Sequence, residues 1–196
     1  APGHETSYGN AGMIQREAME PYPFPEGLGF MLRAAFKAEN AVNYHPSVLP
    51  SAAAAICQYR RNSRPPHYAP LAEAYGKLIE HCTDEHAPLI AQANAEELIS
   101  RDGYYHLYRS RETFRKESET ARRLAQEKGL KHHEIDGATL AETEPNLRRG
   151  VAGAIHWPDT WVVSNPGDLV TRYARLFEEA GGRLLVGDAT TLKAEG

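Results

Sequence analysis

The spacing of apolar positions divides the chain into helical stretches, short strands and a proline-rich run. Residues 20–26 carry Pro21, Pro23 and Pro25 and must be extended or turning. From Glu26, Leu28, Phe30, Met31, Leu32, Ala35 and Phe36 cover one broad helical face that fades by Asn40. Pro46 and Pro50 bracket a turn, and a second helix is predicted over 51–62, broken by Ser63-Arg64-Pro65-Pro66. A long helical pattern follows over 68–99, with Leu71, Tyr75, Leu78, Ile79, Cys82, Leu89, Ile90 and Ala93 at three- and four-residue steps. Pro88 predicts a kink or split near residues 84–87.

The period then changes. Arg101-Asp102-Gly103 reads as a turn and residues 104–108 as an aromatic strand. Ser110 is placed to cap a helix over 111–128, with Gly129 at its left-handed C′ position. A short strand is expected at 132–135, and Asp136 caps a helical turn that closes before Pro145. Residues 150–157 and 160–163 read as two strands across a Pro158-Asp159 turn. Ser164 or Asn165 caps the last helix, with Pro166 at its first position and Asp168 in its first turn. Leu169, Val170, Tyr173, Leu176 and Phe177 form its predicted buried stripe, and Gly181-Gly182 ends it. Residues 183–186 read as a strand, so that strand, helix and strand together suggest a right-handed crossover in an α/β sheet.

Composition narrows the classes. The 196 residues are 41% hydrophobic and 24% charged, an ordinary globular balance with room for a core. No apolar run approaches the ~18–20 residues of a membrane span. A net charge of −4 gives no large electrostatic footprint for nucleic acid. The two cysteines, Cys57 and Cys82, are too few for a disulfide scaffold and are expected to pack on apolar helix faces. The chain opens at Ala1 with no basic and apolar leader pattern and stops just after an apparent strand. Both ends read as cut from a larger protein.

Candidate chemistry is sparse. G-x-G-x-x-G, P-loop, G-x-S-x-G and H-E-x-x-H patterns are absent. Of nine histidines, His132-His133 would point to opposite faces of a strand, and His81 and His86 are off the i, i+4 register, so no metal site is expected. The aromatic strand 104–108 could line a ligand pocket or simply pack on a helix layer. The strongest local signal is residues 5–14. Thr6 and Ser7 supply hydroxyls, and Gly9, Ala11 and Gly12 allow close backbone approach to an anion. An ordinary glycine-rich turn is the competing reading.

The run Glu5-Thr6-Ser7-Tyr8-Gly9-Asn10-Ala11-Gly12-Met13-Ile14 resembles the second flavin motif of FAD-dependent D-amino-acid oxidases and dehydrogenases, with the pattern E-T-S-x-x-N-A-G-x-I. It is most like the bacterial D-amino-acid dehydrogenase small subunits, with glycine oxidases more distant. Leu140-Ala141-Glu142-Thr143-Glu144-Pro145 resembles the family's L-x-x-x-E-P turn. Residues 103–109, 153–166 and the closing helix and strand resemble its later segments in order.

The resemblance implies FAD as cofactor. Thr6 and Ser7 would contact the pyrophosphate region. Ala11, Gly12 and Met13 would lie along the cofactor toward its ring, while Asn10 and Ile14 hold the turn. Thr190 would lie where the backbone meets the adenine. The implied fold class is α+β. A substrate-binding segment (17–163), helices on an antiparallel sheet, is flanked by pieces of a Rossmann-like FAD domain (1–16 and 164–196). The implied reaction is oxidative deamination of an amino acid, D-amino acids in particular. The glycine fingerprint and the substrate-carboxylate arginine of the family are missing from the chain, so no catalytic residue is assigned and the segment alone is expected to be inactive. The alternative is a non-catalytic helical ligand-binding or interaction module. Expected partners are a small amino acid substrate in the parent and, through uncovered apolar surface and strand edges, a second copy of the chain; nucleic acid is not expected. The parent is expected to be cytoplasmic or held at the inner membrane through a respiratory acceptor.

Overall fold

The computed structural model describes residues 1–25, 27, 33, 46–144, 146–147, 150–185, 187 and 191. The helix expected over 26–40 and the strand residues Val186, Ala189 and Thr190 lie outside the described residues, apart from Gly27 and Arg33. The chain forms two compact units, Ala18–Ile79 and the remainder, Ala1–Glu17 with Glu80–Gly196.

In the smaller unit, a 3-10 turn at Pro46–Val48 leads into helix α1 (Leu49–Asn62), and α2 (Pro65–Ile79) follows after Ser63 and Arg64. Pro50 sits in the first turn of α1, where its missing N–H costs nothing. The proline-rich strap is tied down by side chains. The hydroxyl of Tyr59 donates to the Tyr22 carbonyl (2.8 Å), that of Tyr68 to the Pro21 carbonyl (2.7 Å), and the Phe24 N–H to Ser63 Oγ (2.7 Å). The Phe24 and Tyr59 rings meet edge to face at 5.4 Å. Gly76 is buried with the Met19 carbonyl 3.3 Å from where a β-carbon would stand. Cys57 is exposed, contrary to the core role expected of it, because α1 buries none of its described side chains.

The larger unit opens with a 3-10 turn, Thr6–Gly9, and strand β1 (Met13–Ile14). Helix α3 (Cys82–Gln92) is followed by β2 (Ile99–Ser100) and β3 (Tyr104–Tyr108). Then come α4 (Arg111–Lys128), β4 (His133–Asp136), α5 (Gly137–Thr143), β5 (Gly153–Trp157), β6 (Trp161–Val163) and α6 (Pro166–Glu179). The expected caps form. Ser110 Oγ accepts the Thr113 N–H (3.4 Å), Gly129 takes φ +69°, and Asp136 Oδ1 accepts the N–H groups of Ala138 and Thr139 (2.9 and 3.0 Å).

Among the described residues two three-stranded antiparallel sheets form, ordered β1-β6-β2 and β3-β5-β4. Mixed helices and antiparallel sheets make the class α+β. Ile14, Ile90, Ala95, Val163 and Leu169 form one buried cluster, joined by Cys82, Leu98, Trp161 and Tyr173. Ala121, Leu124, Leu140, Ala154 and Ile155 are also buried, on or beside the second sheet.

Four expectations are corrected. The long helix breaks at Glu80–His81, between α2 and α3, and Pro88 is carried inside α3. The break falls where the chain leaves one unit for the other. The two strands expected across Pro158-Asp159 do form, and the turn passes the chain from the second sheet to the first. Residues 183–185 form no strand, and Leu185 is 83% exposed. β6 has antiparallel neighbours on both sides, so no parallel crossover runs through α6 among the described residues. Phe177 is half exposed; its ring lies over Gly182, where a β-carbon would collide with it. The larger unit draws residues from all three stretches expected from sequence, 1–16, 17–163 and 164–196.

Candidate cofactor-contact site

Residues 5–14 divide into an outward and an inward half. Thr6, Tyr8, Gly9, Asn10 and Ala11 are exposed, and Ser7 is half-buried. The turn closes through the Tyr8 N–H donating to the Glu5 carbonyl (3.1 Å), with no side-chain cap at its start. At Gly9 an added β-carbon would meet nothing within 4 Å. No internal packing demands glycine there.

The inward half is committed to the protein. Asn10 Oδ1 accepts the Gly12 N–H (2.8 Å), an Asx-type link across the turn. Gly12 has φ +61°, and a β-carbon on it would strike the Val163 carbonyl and stand 2.9 Å from Pro166 Cγ. Met13 and Ile14 pair with Val162 and Trp161, and Ile14 lies in the core.

The turn packs against the start of α6. A β-carbon on Gly3 would collide with the Gly167 carbonyl and Thr171 Oγ1, and one on Gly167 would come 2.8 Å from the Gly3 carbonyl. The Thr171 hydroxyl donates to the carbonyls of Pro2 (3.2 Å) and Gly167 (2.9 Å). These residues escaped sequence analysis. The available signal was the pair Gly167 and Thr171, four apart and so on one helix face.

The helix start is answered internally. Asn165 Oδ1 accepts the Asp168 N–H (3.1 Å), and Asp168 in the first turn faces the positive end of the helix. Arg172 donates to Asp168 (2.9 Å) and pairs with Glu97 (2.7 Å) and the Asn94 carbonyl. The Glu97 carboxyl is held below its usual range by its own backbone N–H and then by Arg172. The helix end is therefore satisfied internally, and the exposed groups here are those of the turn.

Two further features lie near this frame. Thr160, almost fully buried, donates its hydroxyl to Glu17, which also accepts from Gln15 Nε2 (2.8 Å). On the second sheet, Tyr105, His156 and His133 stand opposite one another across β3, β5 and β4. Tyr105 stacks on His156 at 4.5 Å and His133 on His156 at 5.8 Å. The His156 Nε2–H donates to the Asp102 carbonyl (2.8 Å), which fixes its tautomer. The sheet's other face carries α4, with Phe114 beside Tyr108 and over Gly153. His132 turns away from His133 to Trp157 and Glu134. No cluster of three or more metal-ligating side chains occurs among the described residues. No helix among them is long and apolar enough to cross a membrane.

The chain belongs to the DAO family of FAD dependent oxidoreductases, whose description it matches over residues 1–196. It is 25% identical over 202 residues to a D-amino-acid oxidase of Bradyrhizobium diazoefficiens, covering 100% of this chain and 47% of that protein. The chain thus spans about half the length of the curated relative it matches. It also aligns with a crystal structure of glycine oxidase from Bacillus cereus ATCC 14579 at TM-score 0.42 and 19% identity, covering 51% of this chain and 27% of that one.

The outward half of the motif fits the family's cofactor. Two hydroxyls, an open glycine and an exposed turn offer donors and close approach without displacing any packed atom. Gly12 and Ile14 are already in contact with the protein and act as anchors.

Proposed function

We propose that this chain is part of an FAD-dependent oxidoreductase that oxidatively deaminates amino acids, D-amino acids in particular. The observation that carries the reading is the turn Thr6–Gly9: outward, with room at Gly9, and clamped from behind by Gly12 and Gly167. Thr6 and Ser7 would hold the pyrophosphate region of FAD, with Ala11 and Met13 along it and Thr190 near the adenine. Asn10, Gly12 and Ile14 would keep the turn in register. When bound, FAD supplies a two-electron acceptor for the hydride on the substrate Cα; the imino acid then hydrolyses to a keto acid and ammonia. The chain's own residues bind and orient.

In the finer assignment, 1–16 and 164–196 belong to the FAD-binding side and 17–163 to the substrate-binding side. The face bearing Tyr105, Leu107, His133 and His156 is the side offered to substrate, since α4 covers the opposite face. A second copy of the chain is the expected partner of the remaining apolar surface, and a monomer in light scattering at high concentration overturns that expectation.

The test is a visible absorption spectrum taken before and after incubation with excess FAD and desalting. The chain spans about half of its relative's length, so weak retention is expected. A longer protein containing it should retain FAD and bleach on anaerobic addition of D-amino acids. A longer protein that holds FAD but bleaches with no amino acid overturns the substrate class. One that holds none overturns the whole reading.

A further inference from the structure

A groove of about 640 Å³ opens beside the start of α4. Its floor includes the half-buried Phe114, Val151 and Ala152, and its exposed rim carries Ala138, Arg109 and Arg111. Among the described residues neither guanidinium has an ion pair or a hydrogen-bond partner. This sets them apart from Arg101, Arg115, Arg122, Arg123 and Arg172, all of which pair with carboxylates. Asp136 also lines the groove, but its oxygens accept the N–H groups of Ala138 and Thr139 and the Thr139 hydroxyl (2.9, 3.0 and 2.9 Å). Glu112 is the acidic residue in the first turn of α4. Arg109 and Arg111, unpaired among the described residues, flank Ser110 at the positive end of an 18-residue helix, an arrangement that costs stability unless an anion is close.

An apolar floor with cations at one rim selects an amphipathic anion. A guanidinium fork matches the two oxygens of a carboxylate, and a cavity of this size takes a small organic molecule. We propose that the groove binds an aliphatic monocarboxylate, its head group held by Arg109 and Arg111 and its chain laid on Phe114, Val151 and Ala152. The inference is independent of the flavin reading; it concerns a different part of the unit and needs no cofactor.

The test is octanoate titrated into the isotopically labelled 196-residue chain, followed by amide chemical shifts. Saturable shifts are expected at Gly137, Gly150, Val151 and Ala152, with none of that pattern from octylamine. Arg109→Gln with Arg111→Gln should weaken binding about a hundredfold, taking about tenfold for each lost charge-assisted contact. Ala138→Glu, at an exposed position in the first turn of α5, places a like charge in the groove and should weaken it at least tenfold, a check that stands if the double variant does not fold. Octanoate affinity unchanged in either folded variant overturns the proposal. So does inorganic phosphate saturating the same amides at concentrations as low as octanoate, because the apolar floor would then contribute nothing.

Discussion

Gly12 and Val163 hold the flavin-like motif to the first sheet through both of their backbones. The Val163 N–H donates to the Gly12 carbonyl at 2.6 Å, while the Val163 carbonyl occupies the place of a Gly12 β-carbon. Gly12→Ala must therefore strain a φ of +61° and push back a strand. It should cost about 1–3 kcal/mol in urea denaturation. Gly9→Ala, in open space, should stay within about 0.5 kcal/mol of the parent. Equal losses for both variants would refute the division of the motif into an anchored and an outward half.

The cap of α6 is the second test. Asn165→Ala removes the acceptor for the Asp168 N–H and should cost about 1 kcal/mol, whereas Asn165→Ser should retain most of that stability. Chemical denaturation of the two variants side by side decides it.

His86 and Tyr173 make stability depend on pH. His86 Nδ1 and the Tyr173 hydroxyl share a hydrogen bond (2.9 Å), and burial pushes that phenol up to about 12, so it stays protonated. Burial also lowers the His86 pKa below its ordinary 6.5. A histidine depressed in the folded state leaves stability intact above the unfolded value. Stability is lost as pH falls from 6.5 through the folded value, because the unfolded chain takes up the proton more readily. Denaturation midpoints should fall between pH 7 and pH 5, and His86→Gln should flatten that slope. An unchanged slope in the variant would place the dependence elsewhere.

The core predicts its own contrast. Ile90 is 0% exposed and its neighbour Leu89 is 41% exposed. Ile90→Ala should cost about 2–5 kcal/mol, and Leu89→Ala less than about 1 kcal/mol. Thermal unfolding of both variants checks the facing of α3.

The two thiols should differ in reactivity. Cys57 is exposed; Cys82 is half-buried, and burial raises its pKa, which lowers its thiolate fraction. Iodoacetamide at pH 8, read by peptide mass spectrometry, should label Cys57 first.

Local signals in the sequence anticipated what local physics controls. Ser110, Gly129, Asp136 and Asn165 capped the helices expected of them, because capping needs only side chains within three residues. The strand 104–108 followed from its aromatic run. What sequence missed was pairing across distance. Residues 13–14 and 99–100 lie on either side of 161–163, and nothing in their spacing announces it. Residues 183–185 find no strand partner among the described residues, and Phe177 leaves the expected buried stripe to cover Gly182. In the candidate site, the motif's composition was legible. The clamp behind it, Gly3 against Gly167 and Gly12 against Val163, was not, since each contact joins segments about 150 residues apart.

That sequence separation sets a timetable for biosynthesis. β6 leaves the ribosome ~150 residues after its partner β1, about 8–30 s later at ~5–20 residues per second. Until then the nascent motif has no strand to pair with, and Ile14 has no core to enter. Any cofactor that needs a fixed turn at Thr6–Gly9 would have to be captured after β6 has been translated, late in synthesis of this stretch.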